Sequence, residues 1–210
     1  MAADGPIRHH AGWAFYVWET DTMRLFSADD FRSMPWANGG GQTCELFRLA
    51  HPARADAFAV RLSIADVAQG GPFSHFPGVD RLLGLLEGDG MELSLDDGGS
   101  LRLDAPGQIA SFGGEAAVQC RLLGGALRDC NLMLARDWGR GELSRLSLSA
   151  GQDLSVPVAD MTLLYLQRGE WRCDGRLLPP ACLLAAEGEA LALQAQTDGV
   201  AWLARVSRLA

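Results

Sequence analysis

The sequence predicts an all-β protein in which two small antiparallel barrels or sandwiches follow one another along the chain. Its 25 glycines recur between short runs rich in Leu, Val and Ile, the punctuation of many strands and tight turns. Long amphipathic helical stretches are missing, and the two halves share an order of strand, short Gly turn, strand, Pro-led turn, strand. With 210 residues the chain has room for two lobes of about 100 residues each.

The clearest strand covers 58–64, where Phe58, Val60, Leu62 and Ile64 alternate with Ala59, Arg61 and Ser63. Arg61 and Ser63 therefore share a face. Parity leaves open which face lines the lobe, and the apolar row opposite argues against an inward Arg61. Strands at 81–86 and 91–95 follow, joined through Glu87-Gly88-Asp89-Gly90, with a further reversal at Asp96-Asp97-Gly98-Gly99. Pro106-Gly107 sets a turn before 108–112, and strands at 117–123 and 131–135 complete the first half. Residues 137–141 read as the link. The second half places strands at 143–148, 161–167, 171–173, 182–186, 190–194 and 200–206, with turns at Ala150-Gly151, Arg168-Gly169-Glu170, Asp174-Gly175 and Pro179-Pro180. The expected division is a first lobe at 23–136 and a second at 137–210. Residues 1–22, with Gly5, Pro6 and the His9-His10 pair, differ in character and are expected to be a disordered extension.

Apolar residues make up 48% of the chain and charged ones 21%, which is globular rather than disordered composition. The formal charge of -8, with the arginines scattered singly, gives no basic stripe for a phosphate backbone, so direct nucleic-acid binding is not expected. No apolar run reaches the length of a membrane span, and residues 13–18 are too short for a signal segment. Five cysteines without a C-x-x-C pair read as reduced thiols, and the expected location is the cytoplasm.

GPFSHFPGVDRLLGLLEGDG at 71–90 resembles the first cupin motif, a Gly followed by two spaced His, a Glu, and a strand ending in Leu-Glu-Gly. Aligned on Leu86-Glu87-Gly88 and Pro77, three ligand positions fall on Ser74, Phe76 and Arg81. PGQIASFGGEAAV at 106–118 follows the second motif, with Val118 where the last ligand His belongs. None of these side chains suits a transition metal, and an Arg at the Glu position repels a cation, so neither metal nor cofactor is expected and an anion is favoured. LLYLQRGEWRCDGRLLPPACLLAAEGEALAL at 163–193 keeps the cupin rhythm with no His, which points to a structural second lobe and a bicupin.

PWANGGGQTCEL at 35–46, RLSIADV at 61–67, GPFSHFPGVDR at 71–81, LLEG at 85–88 and DCNLM at 129–133 resemble the HutD/Ves family, in the family's order, over roughly residues 24–206. The family usually has Asp-Phe-Asn where this chain has Asp129-Cys130-Asn131. The resemblance implies a bicupin fold, the bacterial cytoplasm and an association with histidine utilisation, in limiting or sensing intermediates such as urocanate or formylglutamate.

The candidate ligand-binding residues follow from these blocks. Trp36, Asn38, Gly39, Gly40 and Thr43 combine an aromatic, an amide, a hydroxyl and flexible backbone, which serves either an anion cradle or a tight turn leading into a strand. Arg61, Ser63 and Arg81 make a carboxylate clamp with hydroxyl support, or else structural ion pairs with Asp66, Asp80 or Glu87. Glu45 reads as an acid or base, or as a paired carboxylate; His75 lies near the expected pocket; Phe73, Phe76 and Trp36 are candidate walls, and Asn131 joins them through its block. No nucleophilic triad stands out, and no catalytic residue is assigned. The leading expectation is a non-catalytic binder or sensor of a small carboxylated metabolite that modulates histidine catabolism. The alternatives are a metal-independent isomerase or hydrolase using Glu45, His75 or Arg81, and a structural or regulatory interaction protein. A homodimer through edge strands is compatible with all three.

Overall fold

The structure, a computed structural model, describes residues 22–209 together with the backbone of two short strands at Ile7–Arg8 and Ala14–Val17. Beyond those strands, the extension expected at 1–22 lies outside the described residues. Among the described residues, regular structure is β except for one 3-10 turn at Ala28–Asp30. The strands are β1 (Ile7–Arg8), β2 (Ala14–Val17), β3 (Met23–Phe26), β4 (Arg32–Pro35), β5 (Gly41–Ala50), β6 (Phe58–Val67), β7 (Gly71–Pro72), β8 (Val79–Glu87), β9 (Met91–Leu95), β10 (Ser100–Leu103), β11 (Ile109–Gly113), β12 (Val118–Leu122) and β13 (Leu127–Ala135). They continue with β14 (Gly139–Leu148), β15 (Asp153–Val156), β16 (Met161–Arg168), β17 (Trp171–Cys173), β18 (Arg176–Leu177), β19 (Leu183–Ala186), β20 (Leu191–Ala195) and β21 (Gly199–Arg208). All pair antiparallel where registers are defined.

The chain forms two compact units. One holds Arg32–Ser144 with the last described residues from Arg208; the other holds Arg145–Ser207 with the described residues up to Phe31. These units differ from 23–136 and 137–210 both at the start, where the described residues up to Phe31 belong with the late unit, and at the junction, which falls between Ser144 and Arg145. Met23–Phe26 pairs with Leu183–Ala186, because Leu25 and Phe26 are buried as neighbours of that late strand. Residues 137–141, expected as a link, run directly into β14 after a turn in which the Trp138 N–H donates to the Ala135 carbonyl. A glycine-rich stretch here continues as strand because Gly139 is itself buried in the ladder.

The unit of 32–144 stacks a six-stranded sheet, β11-β8-β13-β6-β5-β4, against a four-stranded one, β10-β9-β12-β7. Their shared core contains Leu83, Leu85 and Val67 from the larger sheet and Met91, Leu93, Leu103, Val118 and Cys120 from the smaller. The turn at Glu87-Gly88-Asp89-Gly90 fixes this stacking. Gly90 has φ +104°, and a Cβ there would lie 2.1 Å from the Leu103 carbonyl oxygen, so only glycine passes. The unit of 145–207 has its own core around Trp171, Leu164, Leu184, Leu193 and Leu203, within the sheets β1-β2-β3-β19-β16-β21-β14 and β15-β20-β17-β18. Among the described residues no helix is long and apolar enough to cross a membrane.

Candidate functional site

Strand alternation and register build the site in the unit of 32–144. On β6 the alternate residues Arg61, Ser63, Ala65 and Val67 face one cavity, and on β13 so do Asp129, Asn131 and Met133. Pairing aligns them into rows: Arg81, Met133 and Arg61 lie side by side, then Leu83, Asn131, Ser63 and Glu45, then Leu85, Asp129, Ala65 and Thr43. The row of Arg61 and Ser63 thus faces the cavity despite the apolar row behind it. Val60, Leu62 and Ile64 are also buried, so both faces of β6 are covered. The cavity has a volume of about 500 Å³, the size of a small-molecule pocket. Its remaining wall comes from the turn carrying Trp36, Ala37 and Asn38, and from the segment with Phe73, Ser74 and Phe76.

Arg81 dominates the electrostatics. Its side chain is 5% exposed and sits against three rings, 4.8 Å from the Phe73 centroid, 5.2 Å from Phe112 and 5.8 Å from Phe76. One terminal nitrogen donates weakly to the Ser74 carbonyl at 3.4 Å, while its buried Nε has no partner. Burial lowers its pKa to about 10, partly opposed by Asp129, yet it remains a cation at neutral pH. Asp129 is the complementary anomaly. Fully enclosed, it is pushed up to about 7 by loss of water, against the pull of Arg81 and with a push from Asp66. Its Oδ1 and the Oδ1 of Asn131 are buried and unpartnered.

Arg61 is committed elsewhere. Its Nε donates to Glu45 Oε2 at 2.6 Å, and an Nη touches the Met133 sulfur at 3.6 Å. Glu45 is the paired carboxylate of the two expectations, buried behind Arg61 and off the cavity wall. Glu45→Gln leaves Arg61 mostly enclosed without a counter-ion, and should destabilise the fold by about 2 kcal/mol. Urea unfolding measures it; an unmoved midpoint would mean that the pair contributes nothing.

The glycine turn is occupied internally. The Gly39 N–H donates to the Trp36 carbonyl, the Gly40 N–H to Asn38 Oδ1 at 2.9 Å, and Trp36 Nε1 to Thr43 Oγ1 at 2.9 Å. Gly41 lets β5 approach β6, since a Cβ there would lie 2.3 Å from the Asp66 carbonyl oxygen. The turn therefore spends these N–H groups on its own shape, and presents Trp36, Asn38 and Thr43 to the cavity while Gly39 and Gly40 stand behind. His75 is exposed and outside the wall, whereas its neighbours Ser74 and Phe76 are within it. Sequence reasoning did not select Asp129, Phe112 or Met133. The i, i+2 spacing of Asp129, Asn131 and Met133 was the available signal for the first and last.

A family model described as HutD matches residues 28–203. The chain belongs to the HutD family. Among curated relatives, an uncharacterised 21.2 kDa protein from the region 3′ of hutC in Pseudomonas putida is 46% identical over 121 residues, covering 58% of this chain and 63% of that protein. Protein Ves of Cronobacter sakazakii is 35% identical over 156 residues, covering 72% and 81%. Among solved structures, HutD from Pseudomonas fluorescens SBW25 superposes with a TM-score of 0.75 at 29% identity over 90% of this chain and 100% of that one. The names HutD and hutC link the family to histidine utilisation. The Escherichia coli pirin YhhW, solved with nickel(II), shares the fold at a TM-score of 0.67 and 16% identity, over 87% of this chain and 98% of the pirin.

The nickel(II) of that pirin raises the question of a metal. The positions aligned with cupin ligands by sequence hold Ser74, Phe76, Arg81 and Val118; Phe76 and Val118 offer no donor atom and the Arg81 charge repels a cation, so these residues do not fit a metal. Among the described residues no three His, Cys, Asp or Glu side chains gather as a metal-holding group.

Proposed function

We propose that this HutD-family chain is a cytoplasmic bicupin whose first lobe binds a small carboxylated metabolite and reports its level to histidine catabolism, without turning it over. The observation that carries this reading is Arg81, a buried cation in an aromatic box whose Nε has no protein acceptor and which lines a cavity of small-molecule size. A guanidinium desolvated in this way gains most from a planar anion. Trp36, Asn38, Thr43, Ser63, Phe76 and Asn131 complete the wall, and Arg61 adds positive potential from behind its bond to Glu45. The family link to histidine utilisation makes urocanate and formylglutamate the candidate ligands. No cofactor, nucleic acid or membrane enters this reading, and a homodimer is compatible with it.

Binding raises the melting temperature by mass action, worth about 2.7 kcal/mol at a hundredfold excess over Kd. The test is a thermal scan with each acid; if neither acid moves the melting curve, the sensor reading loses its ligand. A second reading, a metal-independent isomerase or hydrolase, draws on one feature: Asp129 combines burial in the cavity with a pKa near neutrality, as a general acid or base requires. Product formation from either acid by chelator-treated protein would favour it over the sensor.

A further inference from the structure

We infer that the pocket reads two groups on its ligand: a carboxylate at Arg81, and an N–H donor that bonds to Asp129 and Asn131. This rests on the carboxylate-binding reading above and names the class of acid that the site selects, a heteroaromatic or acylamino acid whose N–H points at β13.

Three buried polar side chains on one wall have atoms that find no partner within the protein. Arg81 Nε is a donor, while Asp129 Oδ1 and Asn131 Oδ1 are acceptors. Their residues are 5%, 3% and 9% exposed, so bulk water does not satisfy them, and each lines the same cavity. The two acceptors are alternate residues of β13 and so share its face. Arg81 stands next to Met133, the following residue on that face. The wall thus presents, along one strand direction, acceptor, acceptor, then cation. A ligand offering only a carboxylate would satisfy Arg81 and leave both oxygens dry. A ligand with an N–H a few bonds from its carboxylate also brings a donor to this pair of acceptors, and a buried acceptor left unpaired is what rejects the analogue lacking that hydrogen.

The charged and titratable groups around these acceptors make no hydrogen bond to Asp129 Oδ1 or Asn131 Oδ1. From β6 come Arg61, bonded to Glu45, and Asp66, paired with Arg128; from β12 comes the Cys120 thiol, raised by burial and by Asp129 itself.

Two matched pairs of probes isolate the N–H. Pyrrole-3-acrylate and furan-3-acrylate differ only in N–H against ring oxygen; N-formylglutamate and its ester counterpart, O-formyl-2-hydroxyglutarate, differ in amide N–H against ester oxygen. Calorimetric titration of the full-length wild-type protein should show the N–H member of at least one pair binding about 10- to 100-fold more tightly. In Asp129→Leu and Asn131→Leu that preference should shrink towards unity while carboxylate binding persists. Equal affinities within both pairs for wild-type protein would overturn this inference and leave the carboxylate-binding reading standing. If none of the four binds, both fall. The wild-type comparison decides the matter even where a leucine variant fails to fold.

Discussion

In an Arg81→Met variant, affinity for carboxylates should fall by at least about a hundredfold, because one charge-assisted, bidentate contact in a desolvated site is removed outright. The same change at Arg61 should cost no more than about tenfold, since the Arg61 Nε is already engaged by Glu45 at 2.6 Å and acts on the ligand only through its field. The contrast matters more than either number. Both arginines lie in one cross-strand row with Met133 between them, so a generic loss of positive potential would weaken binding equally in the two variants. Arg81→Lys should fall between, keeping the charge and losing the flat face that packs on Phe73, Phe112 and Phe76. Calorimetric titration with urocanate or formylglutamate measures all three variants. Equal losses at positions 61 and 81 would remove Arg81 from its role as the anion contact.

Much of this arrangement was legible in the sequence, and the parts that were not have a common cause. Strands such as Met91–Leu95 and Trp171–Cys173 coincide with the expected ranges because glycines and turn residues bound them on both sides. Ser100–Leu103 went unread because its four residues offer only Leu101 and Leu103 as an apolar signal between two turns. Met23–Phe26 stands at the start of the expected first lobe, and nothing local announces that its partner is Leu183–Ala186, some 160 residues away. The same limit applied at the site. Parity put Arg61 and Ser63 on one face, but only cross-strand register reveals that Arg81, two elements later, joins their row. Arg61 and Arg81 looked alike as sequence letters; what separates them is Glu45, which register places beside Ser63, one row from Arg61. Asp129 escaped selection because nothing in the residues beside it marks its burial, which is a property of the sheet around it.

That burial makes a second large prediction, for stability. Folded, Asp129 titrates near 7. In an unfolded chain an aspartate titrates near about 3.9. Between those values the folded protein holds a proton that the unfolded chain has released, so stability falls as pH rises through this window. The loss is complete above 7 and is on the order of 4 kcal/mol in total. Asp129→Asn keeps the shape of the protonated side chain and cannot ionise. Its unfolding midpoint in urea should match wild type near pH 4, diverge upward between 4 and 7, and stand well above wild type at pH 8. Other groups titrate in the same range, but they are common to both proteins, so the difference between the two curves isolates Asp129. Parallel curves from pH 4 to 8 would mean that its carboxyl is not perturbed as burial dictates. A divergence would mean that the native chain carries at physiological pH a buried carboxylate that it would be more stable without. Packing gives no reason to keep such a group, since asparagine fills the same space; a ligand that hydrogen-bonds to it does.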